Sequence, residues 1–432
     1  MKNINVQIKK ILTVILFTLF IFYLSACGKE SYVDDYENNE LAEGVRDSDR
    51  EDRFTFLHEG NGRLCTNGKG FYNIKVSNDE GRAIAPRIYY YDYATNKSTL
   101  WCSNVSCTHD SEECSAYVNK DEQFVEYNNG YIYKIKSDDS GTYLMRYNED
   151  GSNEIKTTNL LKNITGNVAL SFGRFYNNFF YYFVKNEEKK IDFYRTDLNK
   201  KDNIEYLFSI DASEDKIAST GVFVNDNNIY ISSAKYMADT KEYKRNVYQY
   251  NFSDKTLKEI VKRDDYYRSC ANDNLYIFTI EKELFKVTEQ GELLEVSPGK
   301  FKNLKDGEYG IHCNERYIVF EEDMVSPYES SERMTYIYDI DKDILNGISI
   351  KELRNVATDL KKKSNKKSEN NTNQTNNSDS EEIDEKQKFD LVTLLGITGK
   401  YCVIGDYKMR VYHMIELDSV SDEKISSWNI KF

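Results

Sequence analysis

One strand–turn–strand unit returns throughout this chain, and that repetition limits its fold more than any other feature. The first half of the unit is a short apolar and aromatic strand entered from Asn, Asp or Gly, as in Asn128-Asn129-Gly130-Tyr131-Ile132-Tyr133 and Asn227-Asn228-Ile229-Tyr230-Ile231. Further copies are Asn177-Asn178-Phe179-Phe180-Tyr181, Asn272-Asp273-Asn274-Leu275-Tyr276-Ile277 and Asn314-Glu315-Arg316-Tyr317-Ile318-Val319, with looser ones at Gly70-Phe71-Tyr72 and Lys400-Tyr401-Cys402-Val403. The second half is an aromatic strand, a polar turn and an aliphatic strand: Ile88 to Asp92 leading to Leu100, Val247 to Asn251 leading to Leu257, Tyr336 to Asp339 leading to Ile344. Related turns follow Tyr147, Thr196, Val287 and Ile415, so each half occurs seven times. The apolar spacing that marks amphipathic helices is almost wholly missing, and period-2 aromatic runs bounded by turn residues are the signature of strands.

Counted from Gly70, Gly130, Asn178, Asn228, Asn274 and Arg316, the copies stand 42 to 60 residues apart, and the last gap, to Lys400, is 84. That gap holds residues 361–388, a low-complexity stretch of Lys, Asn, Ser, Thr and acids without an aromatic residue, which reads as a disordered insertion. Without it, residues 54–432 divide into seven units of about 50 residues, close to a four-stranded propeller blade. The expectation is an all-β chain forming a β-propeller of seven four-stranded blades, with six or eight as the alternatives. Phe54-Thr55-Phe56-Leu57 is placed to complete the last blade in a ring closure. The many tyrosines read as blade-to-blade core rather than as a sugar-stacking surface.

The N-terminus has a different grammar. Residues 1–10 carry three lysines and no acid, Ile11 to Tyr23 are uncharged, and Leu24-Ser25-Ala26-Cys27 follows. An apolar run of this length falls short of the roughly 20 residues that span a bilayer, and its flanks are those of an export signal. Leu24-Ser25-Ala26-Cys27 resembles the lipobox of bacterial lipoproteins. The resemblance implies cleavage after residue 26, diacylglycerol on Cys27 and a chain held on a membrane facing away from the cytoplasm; two acyl chains anchor stably where one does not. Residues 27–53, with ten acids against four bases, read as a flexible, self-repelling tether. Net charge is −14, and loss of Lys2, Lys9 and Lys10 with the leader takes it to about −17, which argues against nucleic acid as a partner.

The chain's most singular loop is Trp101 to Tyr117, where Cys102, Cys107, His109 and Cys114 fall within 13 residues. Three thiols and an imidazole suffice for a tetrahedral Cys3His zinc site. The alternatives are disulfide pairing in an exported protein, with Cys65 making an even set of four, and free thiols. Zinc and disulfide alike make the loop a staple on the first blade. This loop, the preceding Tyr89-Tyr90-Tyr91-Asp92 and the lipobox resemble those of lipoproteins from clostridia and related low-GC Gram-positive bacteria, whose bodies are TolB-like or related β-propellers of unknown function. Members of that group carry the three loop cysteines and the histidine without a fixed fourth cysteine, which favours metal.

No GxSxG, HExxH, Walker or GxGxxG motif occurs, and of the other histidines His58, His312 and His413 none sits in a catalytic pattern. The sequence therefore points first to a non-enzymatic, membrane-anchored scaffold that binds an envelope protein, peptide or glycan. The alternative is an envelope hydrolase or lyase with its site in the propeller channel, which needs acids or histidines converging on the axis. A transporter's solute-binding protein would alternate strands with helices, and this chain does not.

Overall fold

The computed structural model describes residues 64–349, apart from short connecting stretches, and the strand segments at 55–56, 392–397, 401–406, 412–416 and 430–431. Cys27, the leader over 1–26, the tether over 27–53 and the insertion over 361–388 lie outside the described residues. No helix among the described residues is long and apolar enough to cross a membrane.

The first strand, β1 (Thr55–Phe56), precedes the repeats. The first blade is β2 (Leu64–Thr66), β3 (Gly70–Ser77), β4 (Ala83–Asp92) and β5 (Lys97–Leu100). The second is β6 (Val125–Asn128), β7 (Tyr131–Asp138), β8 (Gly141–Asn148) and β9 (Ile155–Asn159). The third is β10 (Ala169–Tyr176), β11 (Phe179–Lys185), β12 (Lys190–Asp197) and β13 (Ile204–Asp211). The fourth is β14 (Ile217–Val224), β15 (Asn228–Met237), β16 (Glu242–Asn251) and β17 (Leu257–Arg263). The fifth is β18 (Tyr266–Ala271), β19 (Leu275–Thr279), β20 (Leu284–Val287) and β21 (Leu293–Glu295), followed by one 3-10 turn at Lys300–Asn303. The sixth is β22 (Tyr309–Cys313), β23 (Tyr317–Glu322), β24 (Met334–Asp339) and β25 (Ile344–Ser349). The remaining strands are β26 (Val392–Ile397), β27 (Tyr401–Asp406), β28 (Tyr412–Glu416) and β29 (Ile430–Lys431).

Strands within a blade are antiparallel and lie in sequence order, which makes the chain an all-β propeller of four-stranded antiparallel blades. Seven four-stranded blades were expected; six have that form. The last sheet has five strands in the order β1-β26-β27-β28-β29, because Thr55 pairs with Ile397 and Phe56 with Gly396. The N-terminal segment thus joins the last sheet as expected, but as an added strand. The physical reason is that β26 to β29 already supply four strands from the C-terminal repeat, and the edge of β26 remains open for one more.

The recurrent Asn residues first shape the turns. Asn129 and Gly130 both have left-handed backbone, φ 49 and 82, the geometry that an Asn-Gly hairpin supplies at least cost. They then latch the first five blades in series. Asn67 Nδ2 donates to Glu149 Oε2 at 2.9 Å, Asn129 Nδ2 to Asn178 Oδ1 at 3.1 Å, and Asn177 Nδ2 to Asp226 Oδ1 at 3.2 Å. Asn227 Nδ2 continues the series to Glu289 Oε1 at 3.3 Å.

The aromatic strands build the cores between blades. Tyr72, Ile74 and Ile88 of the first blade pack with Val125, Ile132 and Tyr147 of the second. Tyr133 and Leu144 meet Phe175, Phe180 and Tyr182 of the third. Phe183, Phe193 and Phe208 meet Ile229, Ile231 and Tyr250 of the fourth, with Phe208 stacked on Tyr250 at 4.5 Å between centroids. Tyr230 and Val247 meet Leu275 and Ile277 of the fifth, and Phe278 meets Ile311, Ile318 and Phe320 of the sixth. Reading the tyrosines as interblade core is correct at these positions.

Candidate metal centre

The chain leaves β5 at Leu100, makes an excursion through residues 101–115, and returns along β4 before entering β6. The return limb takes the edge of β4 beyond the end of β5: Ile88 N donates to Ala116 O at 2.8 Å, Val118 N to Pro86 O at 3.1 Å, and Arg87 bridges Tyr117 in antiparallel fashion. The excursion therefore sits on the connection between the first and second blades.

Inside the excursion, short turns bring its donors together. Cys107 N donates to Asn104 O and Cys114 N to Ser111 O, both at 3.1 Å, and Ser106 N to Asn104 Oδ1 at 3.0 Å. His109 adopts left-handed backbone, φ 60, which aims its N–H at Cys107 Sγ at 3.3 Å and sets its Nδ1 3.4 Å from Cys114 Sγ. One ligand atom from each of Cys102, Cys107, His109 and Cys114 lies within 4.8 Å of the others. A tetrahedron with Zn–S near 2.3 Å has edges of about 3.5–3.8 Å, so the quartet fits a four-coordinate zinc ion. An amide donating to a thiolate sulfur is the kind of outer contact that orients a metal-bound ligand.

Electrostatics within the quartet are divided. Burial raises the Cys114 thiol to about 12, and Cys107 and Cys102 add to that rise. Burial also acts upward on Cys102, but hydrogen bonds from the Asn104 backbone, Ser115, Cys114 and Cys107 outweigh it and hold the thiol below its ordinary value. Three adjacent thiols do not ionise together without a cation among them.

The loop is clamped from outside. Arg87, 8% exposed, donates from Nε to His109 O at 2.5 Å while its guanidinium lies 4.6 Å from the Tyr117 ring. Lys134 of β7, 4% exposed, donates from Nζ to Ser115 O at 3.0 Å and Tyr117 O at 2.6 Å. Trp101 and Tyr72 both donate to Glu149 O, at 2.7 and 3.1 Å, beyond the end of β8. Neither Arg87 nor Lys134 was marked by the sequence, because a cation in an aromatic strand is outwardly ordinary and its carbonyl partners arrive only when the loop folds back.

Cys65, on β2, is buried in the same interblade core but is not one of the four clustered donors. Cys270 and Cys313 are buried at the junction of the fifth and sixth blades. His312 is buried on β22, and His413 on β28 pairs with Ile404 of β27. His58 lies outside the described residues. The quartet is the one group of three or more Cys, His, Asp or Glu side chains, among the described residues, arranged to hold a metal.

A second feature is a polar cleft of about 160 Å³ lined by Asn228, Gln249, Asn251, Asp254, Thr256 and Glu289 among others. Its amides bond to their own surroundings: Gln249 Nε2 donates to Glu289 O at 3.1 Å, and Asn251 Nδ2 to Asn228 Oδ1 at 3.0 Å. It is a polar seam between the fourth and fifth blades.

No known family profile and no curated protein matches the sequence. Similarity is found among solved structures. Tricorn protease aligns at TM-score 0.45 and 11% identity over 88% of this chain and 36% of its own. The β-propeller domain of the Trilobed protease from Pyrococcus furiosus aligns at 0.41 and 10% over 69% and 84%, and TolB from Acinetobacter baumannii at 0.35 and 9% over 69% and 64%. This chain thus spans about a third of the tricorn protease chain. At such identities the likeness concerns the propeller fold alone.

Proposed function

We propose that this chain is a lipid-anchored, extracytoplasmic β-propeller that serves as a binding scaffold in the cell envelope for a protein, peptide or glycan. In this reading Cys27 carries diacylglycerol, and Cys102, Cys107, His109 and Cys114 hold a structural zinc ion. The five-stranded sheet acts as a seventh blade, with β1 joining the two ends of the folded chain.

The observation that carries the scaffold reading is the closed donor set. Four protein ligands would fill a tetrahedral zinc ion and leave no position for substrate or activated water, which is the mark of a structural site. The quartet also sits on an interblade connection, braced by Arg87, Lys134 and Trp101, where a staple is useful. Disulfide pairing that recruits Cys65 is the alternative chemistry for the same staple; Cys65's place outside the quartet favours metal. The leader and lipobox support the anchor.

The anchor is tested by growing the native host, or a related Gram-positive host, with a labelled fatty acid. Wild-type chain should take up the label and sediment with membranes, and a Cys27→Ala variant should do neither. An unlabelled wild-type chain recovered free of membrane would overturn the anchor.

A further inference from the structure

Two cysteines outside the quartet stand in matching places. Cys270 on β18 pairs with Tyr276, and Cys313 on β22 pairs with Ile318. Each partner is the second residue of its blade's second strand, so the two cysteines occupy equivalent register positions one repeat apart. Their strands, the first of the fifth and sixth blades, approach within 8 Å between Cα atoms. Both residues are buried, at 3% and 0% exposed, in one core with Tyr276, Ile311 and Ile318. Both are free, buried thiols in this structure, set on neighbouring strands that share one core.

We propose that Cys270 and Cys313 are the two halves of a disulfide that joins the fifth and sixth blades covalently. Strand pairing holds neighbouring strands within a blade, whereas side-chain packing and hydrogen bonds hold one blade to the next, so a bond at this junction adds a kind of link the repeat otherwise lacks. The oxidant is a small-molecule or protein disulfide. The thiolate of one cysteine attacks a sulfur of that disulfide and expels one thiolate; the second cysteine, deprotonated, attacks the mixed disulfide and expels the other. Two thiols lose two protons and two electrons, and the oxidant leaves as two thiols.

Burial sets the timing. It pushes the Cys270 thiol well up, and the neighbouring Cys313 adds to that, so the attacking thiolate is scarce once the core has closed. The bond therefore forms as the two blades assemble, and once formed it is shielded from reductants. The inference does not depend on the lipid anchor, because any oxidising medium supplies the reaction.

The test is to unfold the purified full chain in denaturant with reductant and chelator, then refold it in detergent with a buffer of reduced and oxidised glutathione. Free thiols are alkylated and the digest is mapped by mass spectrometry. The same map is made on chain secreted under oxidising conditions and never unfolded, so that poor refolding does not obscure the result. The expected product is a peptide pair joined through Cys270 and Cys313, two hydrogens lighter than the separate reduced peptides. The denaturant midpoint should also fall when the bond is reduced. In Cys270→Ala, Cys313 should be recovered alkylated or joined to glutathione, and reductant should no longer act on this junction. Recovery of both cysteines singly alkylated from the folded, oxidised wild-type chain overturns the proposal, as does either cysteine cross-linked to a quartet member.

Discussion

The indole N–H of Trp101 donates to the backbone carbonyl of Glu149 at 2.7 Å, tying the start of the cysteine loop to the turn after β8 in the second blade. The ring is 3% exposed and meets Tyr147 edge-on at 5.3 Å, so it is both a packed aromatic and a polar latch. Trp101→Phe keeps a ring and removes the latch. Tyr72 still donates to the same carbonyl, so the carbonyl is not stranded. The expected cost is about 1–2 kcal/mol, from the lost hydrogen bond and the smaller ring, read as a lower midpoint in denaturant titration. An unchanged midpoint would show that the latch contributes nothing.

Lys134 presents the opposite problem, a buried cation that donates to two backbone carbonyls and lies over the Tyr147 ring. Replacing it with Met fills the space but leaves Ser115 O and Tyr117 O without the ammonium. Lys134→Met should destabilise by about 2 kcal/mol or more, since a stranded buried acceptor costs more than the bond itself contributed. Thermal melts of the two proteins decide; a shift within about 0.5 kcal/mol of zero would mean the cation's own desolvation cancels its bonds.

The metal reading makes a stoichiometric claim. Purified chain should hold about one zinc ion, and Cys107→Ser should lower both the zinc content and the melting temperature. Prolonged chelation of wild type should reproduce the loss. Metal-free protein with three freely reactive loop thiols would remove the staple altogether.

Acid should weaken the junction of the fifth and sixth blades. There Asp343 accepts from Tyr338 Oη at 2.9 Å and from Ser297, and pairs with Lys300 at 2.6 Å. Hydrogen bonds from Lys300, Ser297 and Tyr338 hold its carboxyl down, to about 2. Since the folded value lies below the unfolded one, this contribution is present in full above roughly pH 4 and is lost as pH falls through about 2. Asp343→Asn should therefore be less stable than wild type at pH 7, with the gap closing toward pH 2. Stability curves for the two proteins that stay parallel between pH 5 and 2 would rule this out.

The repeats were readable because two strands of every blade carry punctuation. Asn128-Asn129-Gly130 before β7 and Asp339 before the turn to β25 are turn residues at fixed distances from aromatic runs, and the structure places them accordingly. The opening strands were not marked in that way. β10 and β14, with Ala, Ser and Gly among their aromatics, have no common entry signal, and only the spacing between copies implied them. In sequence an Asn signals only a turn; that Asn67, Asn129, Asn177 and Asn227 also bond across to the next blade depends on how blades sit side by side, which no local pattern encodes. The quartet was legible because its members are close in sequence. Cys270 and Cys313 were not, because their nearness is a property of the repeat: one full blade separates them along the chain.

The interblade cores have a consequence for how this chain tolerates change. Among the described residues, each of the five draws its side chains from two consecutive blades. Substitutions at Phe180 and Phe320 therefore share no partner and should combine as independent increments, while Phe208 and Tyr250, stacked on one another, should show epistasis. Damage, repair and innovation are thereby confined to neighbouring pairs of blades, and one seam of the ring can be remodelled while the rest keeps its shape.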